Sequence, residues 1–349
     1  MKLPTLESLQ RAARLVYEAM APTPQLCWPQ LSERLGAEVW VKHENHTPLG
    51  AFKIRGGLTY FDELKRRAPH VQQVIAATRG NHGQSIAFAA QRRELKAVIV
   101  VPHGNSREKN AAMRARGVEL IEHGSDFQDA FEHAQALAAA RALHLVPSFD
   151  EALVRGVATY SLELFAAVPE LHTLYVPIGM GSGICGAIAA REALGLTTEI
   201  VGVVAAAAPG MAQSFAARRA IAAPVAHTIA DGVAVRSPDP QALEIMLAGV
   251  ARLVAVEESE IRSAMRDLFT DTHNVAEGAG ALALAAARKE QSRIQGRRIA
   301  IVQSGANVDR AVFAAVLAES QQACGAVTPT SETSSQPAPH CAAPAASRR

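Results

Sequence analysis

The sequence predicts an α/β fold of two parallel-sheet lobes, and three observations carry that expectation. Short apolar runs alternate with helical segments along much of the chain, the rhythm of strand, turn and helix that a parallel sheet needs. Apolar residues make up 49% of the 349 residues and aromatics only 5%, so Ala, Val, Leu and Gly must supply the packing, as they do where helices lie close on a sheet. Glycine-rich stretches directly follow several strand-like runs, which puts them where such folds collect ligands, at the carboxyl ends of strands.

In chain order, residues 6–20 have helical apolar spacing, Thr23-Pro24 interrupts it, and a short helix is predicted over 28–35. Residues 38–42 read as a strand. Strands over 74–77, 97–101, 118–121 and 143–146 then alternate with helices over 83–92, 107–116, 127–140 and 159–167. The pattern resumes with strand 174–177, helix 187–194 and strand 200–204, and closes on strand 299–303 and helix 310–317. This count fits a small lobe over 73–150 set inside a larger one made of 1–72 and 151–319. Residues 320–349 are mostly Ser, Thr, Pro, Ala and Gln, which bury too little surface to offset their ordering entropy, so a disordered tail is expected there.

Thirty-five Lys and Arg against 33 Asp and Glu leave a net charge of +2 with no dense basic run, which argues against a nucleic-acid partner. Charges at Lys2, Glu7, Arg11, Arg14 and Glu18 interrupt any apolar stretch that a secretory signal would need, and no window is apolar enough to span a bilayer. A cytoplasmic location without membrane attachment is the expectation. Cys27, Cys185, Cys324 and Cys341 form no CxxC pair and have no spaced His partners, so no metal site is expected.

Four stretches carry the chemistry. The first runs from Lys42-His43-Glu44 to Gly50-Ala51-Phe52-Lys53-Ile54-Arg55-Gly56-Gly57, with a lysine between an aromatic and a glycine pair. On spacing alone Lys53 suits a helix N-terminus with a solvent-reaching amine as well as it suits a reactive one. The second, Thr78-Arg79-Gly80-Asn81-His82-Gly83, leaves a strand and opens a helix, where free backbone N–H groups form an anion site. The third, Gly179-Met180-Gly181-Ser182-Gly183-Ile184-Cys185-Gly186, has the same placement and contains GxGxxG. A dinucleotide reading fails in context, because the next strand, Val201-Gly202-Val203-Val204-Ala205, ends without the acid that would hold a ribose. The fourth, Gln303-Ser304-Gly305-Ala306-Asn307, puts a hydroxyl at a strand end, and Thr228–Ala234 and Val275–Gly280 add support.

Taken together in this order, over residues 10–318, the chain resembles the serine/threonine dehydratase branch of the fold-type-II (tryptophan-synthase-β-like) pyridoxal-phosphate enzymes. The resemblance implies pyridoxal 5'-phosphate as cofactor, a small amino acid as substrate and a homodimer. It makes Lys53 the catalytic Schiff-base lysine, Phe52 an apolar partner of the pyridine ring, and Asn81 the partner of the cofactor's 3-hydroxyl. Thr78, Gly80, Asn81 and His82 would cradle the substrate carboxylate, and Arg79 is a further substrate-binding candidate in the same loop. Gly179, Met180, Gly181, Ser182 and Gly183 would cradle the phosphate, Ser304 would meet the pyridine nitrogen, and Gly232 and Glu277 would flank the other edge.

Two departures bear on activity. Where the family has Ser or Ala as the second residue of the loop, its racemases using that Ser as a base, this chain has Arg79, which cannot do that job. Where members with a divalent-cation site carry Glu, this chain has Val204, so the resemblance implies no metal. The expected reaction is β-elimination from L-threonine or L-serine to a 2-oxo acid and ammonia. A bulkier or acidic β-hydroxy amino acid such as 3-phenylserine or 3-hydroxyaspartate, an amino-acid racemase, and a non-enzymatic metabolite-binding protein are the alternatives.

Overall fold

Where the sequence alternates strand with helix, two parallel sheets form, in a computed structural model that describes residues 1–319. The strands are β1 (Gln25–Cys27), β2 (Glu38–His43), β3 (Gln73–Ala77), β4 (Lys96–Val101), β5 (Glu119–Glu122), β6 (His144–Leu145), β7 (Thr173–Pro177), β8 (Glu199–Ala205), β9 (Arg252–Val256) and β10 (Arg298–Gln303). One sheet has the order β1-β2-β10-β7-β8-β9, parallel except for the antiparallel edge pair β1-β2. The other, β5-β4-β3-β6, is parallel throughout and uses only residues between Gln73 and Leu145. The fold class is the two-sheet α/β class expected from the sequence. The tail expected over 320–349 lies outside the described residues.

Alternation along each strand sends side chains to two separate cores. In the larger sheet Val39, Val41, Ile299 and Ile301 face helices Glu258–Thr272 and Gly278–Lys289. Trp40, Ala300 and Val302 face the opposite side, where helices Glu151–Ala167 and Ser182–Ala193 pack. The smaller sheet divides in the same way. Val74, Ala76 and Ile99 meet the side that carries helices Lys53–Arg67 and Asn81–Arg92, and Ile75, Val98 and Val100 meet helix Phe127–Arg141. Burial on both faces explains why these strands read as continuous apolar runs in the sequence.

Some elements differ from the sequence expectation. The helix predicted over 159–167 begins at Glu151, because Asp150 caps it by accepting a hydrogen bond from the Ala152 N–H. Gly156, which reads as a breaker, instead permits close packing. A Cβ there would lie 2.2 Å from the Arg55 carbonyl oxygen. Between residues 205 and 298 the chain adds helices Gly210–Ala217, Pro240–Gly249, Glu258–Thr272 and Gly278–Lys289 and strand β9, none of which the sequence pattern predicts. Among the described residues, no helix is long and apolar enough to cross a membrane.

Candidate active site

Loops leaving the carboxyl ends of β2, β3, β7 and β10 converge on one cavity of about 830 Å³ including its mouth, a size that suits a small-molecule site. Every site residue expected from the sequence lines it: Phe52, Lys53, Thr78 to His82, Gly179 to Gly183, Gly232, Glu277 and Ser304.

The lysine loop is pinned before its helix begins. The Phe52 N–H donates to the Ser304 carbonyl at 3.1 Å, the Ala306 N–H donates to the Gly50 carbonyl at 2.9 Å, and Thr47 bonds both backbone groups of Ala51. Helix Lys53–Arg67 therefore starts with its first side chain inside the cavity. Its Nζ makes one hydrogen bond, to Ser182 Oγ at 3.4 Å, and lies 4.9 Å from the centre of the Phe52 ring. The stem keeps some surface because the cavity is open. Desolvation nevertheless lowers the amine from 10.5 to about 8, opposed by the charge of Glu277. Both structural alternatives for Lys53 thus hold in part: it opens a helix, and its amine turns inward rather than to solvent.

Two helix N-termini face this amine. Thr78 Oγ1 accepts from the N–H groups of Gly80 and Gly83, so its hydroxyl shapes the loop that opens helix Asn81–Arg92. Helix Ser182–Ala193 starts at Gly181, whose φ of 103° few side chains tolerate and where a Cβ would press 2.8 Å from that of Ala242. A Cβ on Gly179 would lie 2.6 Å from the Gly232 carbonyl oxygen. These close approaches leave amide N–H groups facing the cavity, the arrangement that binds phosphate.

The far wall carries charge. Asn81 donates to Glu277 Oε1 at 2.6 Å and accepts from Asn307 at 2.9 Å. Lys109 donates to Glu277 Oε2 at 2.8 Å and to both oxygens of Asp231. Burial alone would lower Lys109, but Glu277 and Asp231 raise it, so the lysine stays a cation. Burial pushes Glu277 up, with Lys109 opposing. His82 is pushed down to about 3 by desolvation and by Lys53, with a hydrogen bond to the Pro147 carbonyl opposing, so its imidazole is neutral. Its Nε2 is buried without a partner. Ser304 is buried, and its Oγ donates to the Ala279 carbonyl at 3.3 Å.

Lys109, Asp231 and Asn307 are not among the site residues that the sequence singles out. Asp231 and Asn307 fall inside motifs that it does mark, whereas Lys109 sits in the polar helix Arg107–Arg114, where nothing local marks it as buried.

The residues present fit an aldehyde cofactor with a phosphate. They offer a desolvated amine without an ion pair, a cradle of amides that side chains would fill, an orphaned imidazole nitrogen and a neutral hydroxyl lining the same cavity. Comparison with known proteins agrees: residues 16–305 match the family described as "Pyridoxal-phosphate dependent enzyme". The chain belongs to that family. Pyridoxal 5'-phosphate is therefore its cofactor.

Among relatives of this pyridoxal-phosphate enzyme, the L-threonine ammonia-lyase of Thermotoga maritima is 33% identical over 309 residues, covering 87% of this chain and 76% of the relative. The L-threonine dehydratase biosynthetic IlvA of Escherichia coli is 33% identical over 84% of this chain, which spans only 58% of that relative's length. Two solved structures align closely. The processed form of threonine deaminase isoform 2 from Solanum lycopersicum has 29% identity and a TM-score of 0.81, covering 90% of this chain and 93% of its own. Maize serine racemase has 26% identity and a TM-score of 0.83, covering 90% and 97%.

The lowered Lys53 value has a measurable consequence. Only the neutral amine attacks an aldehyde, so reconstitution of cofactor-free protein with pyridoxal phosphate is expected to accelerate with pH and level off above about 8. A midpoint near 10.5 would show an ordinary exposed lysine. Stability moves the same way. Between about 8 and 10.5 the unfolded chain binds a proton that the folded chain lacks, so the cofactor-free protein gains stability as pH rises through that window.

Proposed function

We propose that this chain eliminates water from a β-hydroxy amino acid such as L-threonine or L-serine, the product then taking up water and releasing ammonia to leave a 2-oxo acid, with its cofactor carried on Lys53. The observation that carries the reading is the pairing, across one cavity, of a desolvated lysine amine with the neutral hydroxyl of Ser304. The names of the L-threonine ammonia-lyase relatives support it.

Bound pyridoxal phosphate supplies an electron sink that makes an α-proton removable. The amides that open helix Ser182–Ala193 hold its phosphate, with Gly179, Met180 and Gly181 forming the approach. Phe52, Gly232 and Glu277 would hold its ring, and the N–H that Asn81 does not give to Glu277 would serve its 3-hydroxyl. The loop from Thr78 to His82 orients the substrate carboxylate. Lys53 Nζ lines the same cavity and, besides holding the cofactor, would take the α-proton, a role worth about 10²- to 10⁴-fold in rate. Ser304 would serve the pyridine nitrogen with a neutral hydroxyl in place of a carboxylate's charge, which would favour prompt loss of the β-hydroxyl. Racemisation is the weaker reading because Arg79 stands where a second base would have to act, and a guanidinium is no general base.

The test is direct: the purified protein should show a visible cofactor absorbance band and release 2-oxobutyrate from L-threonine or pyruvate from L-serine. A band without 2-oxo acid from any β-hydroxy amino acid rejects elimination. Ser304→Asp should slow release at least tenfold and shift the band, because the nitrogen would gain a proton. Unchanged kinetics and spectrum would remove Ser304 from the nitrogen. The same reading includes a cytoplasmic homodimer, tested by light scattering and fractionation. It also includes a lobe boundary near residues 72 and 150, tested by limited proteolysis.

A further inference from the structure

Among the ionisable side chains lining the cavity, Arg79 alone has neither an ion pair nor a hydrogen bond within the described residues, and its Nε is buried without an acceptor. The nearby carboxylates do not serve it. Asp231 and Glu277 are held by Lys109. Asp126 accepts from Arg236 and, at 3.0 Å, from the Asp129 N–H. A guanidinium donor left unpaired in a buried position costs free energy, so its retention points to a missing acceptor.

The acceptor has a place. A side cavity lined by Ser125, Asp126, His227 and Arg236 among others shares Arg79, Phe127, Ala234 and Val235 with the cavity that holds Lys53. Arg236 also presents a buried Nε with no partner. A substrate whose carboxylate and α-carbon lie between the Thr78-to-His82 loop and Lys53 would extend its β-substituent toward this annex. The annex offers guanidinium N–H donors and no uncommitted acid.

We propose that Arg79 is a specificity-determining residue that pairs with a carboxylate on the β-substituent, making the preferred substrates acidic β-hydroxy amino acids of the 3-hydroxyaspartate class. The proposal rests on the elimination reading and refines its substrate. Elimination of the β-hydroxyl as water breaks the Cβ–O and Cα–H bonds and gives an enamine that tautomerises to the imine; water then adds to the imine carbon and ammonia leaves, so that 3-hydroxyaspartate yields oxaloacetate and ammonia with no oxidant or reductant required. A carboxylate meets the guanidinium as a fork of two charge-assisted hydrogen bonds, which a methyl substituent cannot offer.

The experiment uses holoenzyme, wild type and Arg79→Met, with Arg79→Gln as a second variant should the first fold poorly. The ratio of kcat/KM for threo-3-hydroxyaspartate, read as oxaloacetate, to that for L-threonine, read as 2-oxobutyrate, is expected to favour the acid in wild type. It should fall about tenfold or more in the variants. In parallel, L-aspartate and L-alanine, which have no β-hydroxyl to lose, are titrated against the cofactor band. Aspartate should weaken about tenfold in the variants and alanine much less. Equal weakening of aspartate and alanine, or an unchanged kcat/KM ratio, overturns the role of Arg79 and leaves elimination standing on 2-oxo acid release. No 2-oxo acid from any substrate, with aspartate binding still dependent on Arg79, rejects elimination and with it the substrate proposal, and leaves only an acidic-ligand site. A loss confined to retention of pyridoxal phosphate would show that Arg79 serves the cofactor's phosphate, and that also overturns the proposal.

Discussion

Lys53→Ala is expected to abolish the visible cofactor band and 2-oxo acid release together, with turnover falling by about 10³-fold or more, because on the proposed reading one amine both anchors the cofactor and moves the α-proton. The protein itself should not suffer. Lys53 Nζ has no ion pair to lose and one long hydrogen bond, to Ser182. Removing a desolvated amine therefore relieves a cost rather than creating one. The melting temperature of cofactor-free variant should match or exceed that of cofactor-free wild type, while added pyridoxal phosphate stabilises wild type far more than the variant. Wild-type turnover in the variant would reject the assignment. Partial recovery with a small free amine would separate proton transfer from anchoring.

Much of this site is legible in the sequence because its parts sit at strand-to-helix junctions, where local signals are strong. Gly80-Asn81 and Gly181-Ser182 each follow an apolar run and open a helix, and both helices start there. What stays hidden depends on distant partners. Lys109 is a site residue only because Asp231, 122 positions away, and Glu277, 168 positions away, fold against it. Helix Gly278–Lys289 carries no amphipathic signal because Gly278 to Ala287 are buried all round, so no polar face marks its period. Strand β9 escapes the sequence pattern because helix Pro240–Gly249 runs into it through Val250-Ala251 with no turn residue in the gap. Helix Ser182–Ala193 is predicted five residues late, since a glycine-rich first turn reads as loop.

The second large effect lies behind the site, at Arg55, two residues beyond Lys53 in the same helix turn. Its side chain and that of Glu44 are fully buried. Arg55 Nε donates to Glu44 at 2.7 Å, its terminal nitrogens donate to Glu163 at 2.6 and 2.9 Å, and Thr159 and Thr23 take further N–H groups at 2.9 and 3.2 Å. Lys42, also fully buried, closes the network on Glu163 at 2.6 Å and on the Thr23 carbonyl at 2.7 Å. Every guanidinium nitrogen of Arg55 has a partner, so the side chain ties the 3₁₀ turn Glu44–His46 and helix Glu151–Ala167 to the first turn that carries Lys53, and Lys42 joins β2 to the same Glu163. Arg55→Met strands the Glu44 carboxylate in a dry interior, and such a break costs about 3–5 kcal/mol. That corresponds to a fall of roughly 4–7 °C in Tm for a chain of this size. Arg55→Met combined with Glu44→Leu should recover a substantial part of the loss, since replacing both partners removes the stranded charge. A double variant whose loss equals the sum of the singles would show no coupling and reject the network as a unit. Acid provides an independent check. Burial alone would raise Glu163, but Arg55 and Lys42 hold it below its ordinary 4.5, so its contribution is present above that value and is lost as pH falls through the depressed one. Wild type should therefore lose stability more steeply than Arg55→Met as pH drops below about 4.5, and parallel curves would mean that Arg55 does not hold that carboxylate ionised.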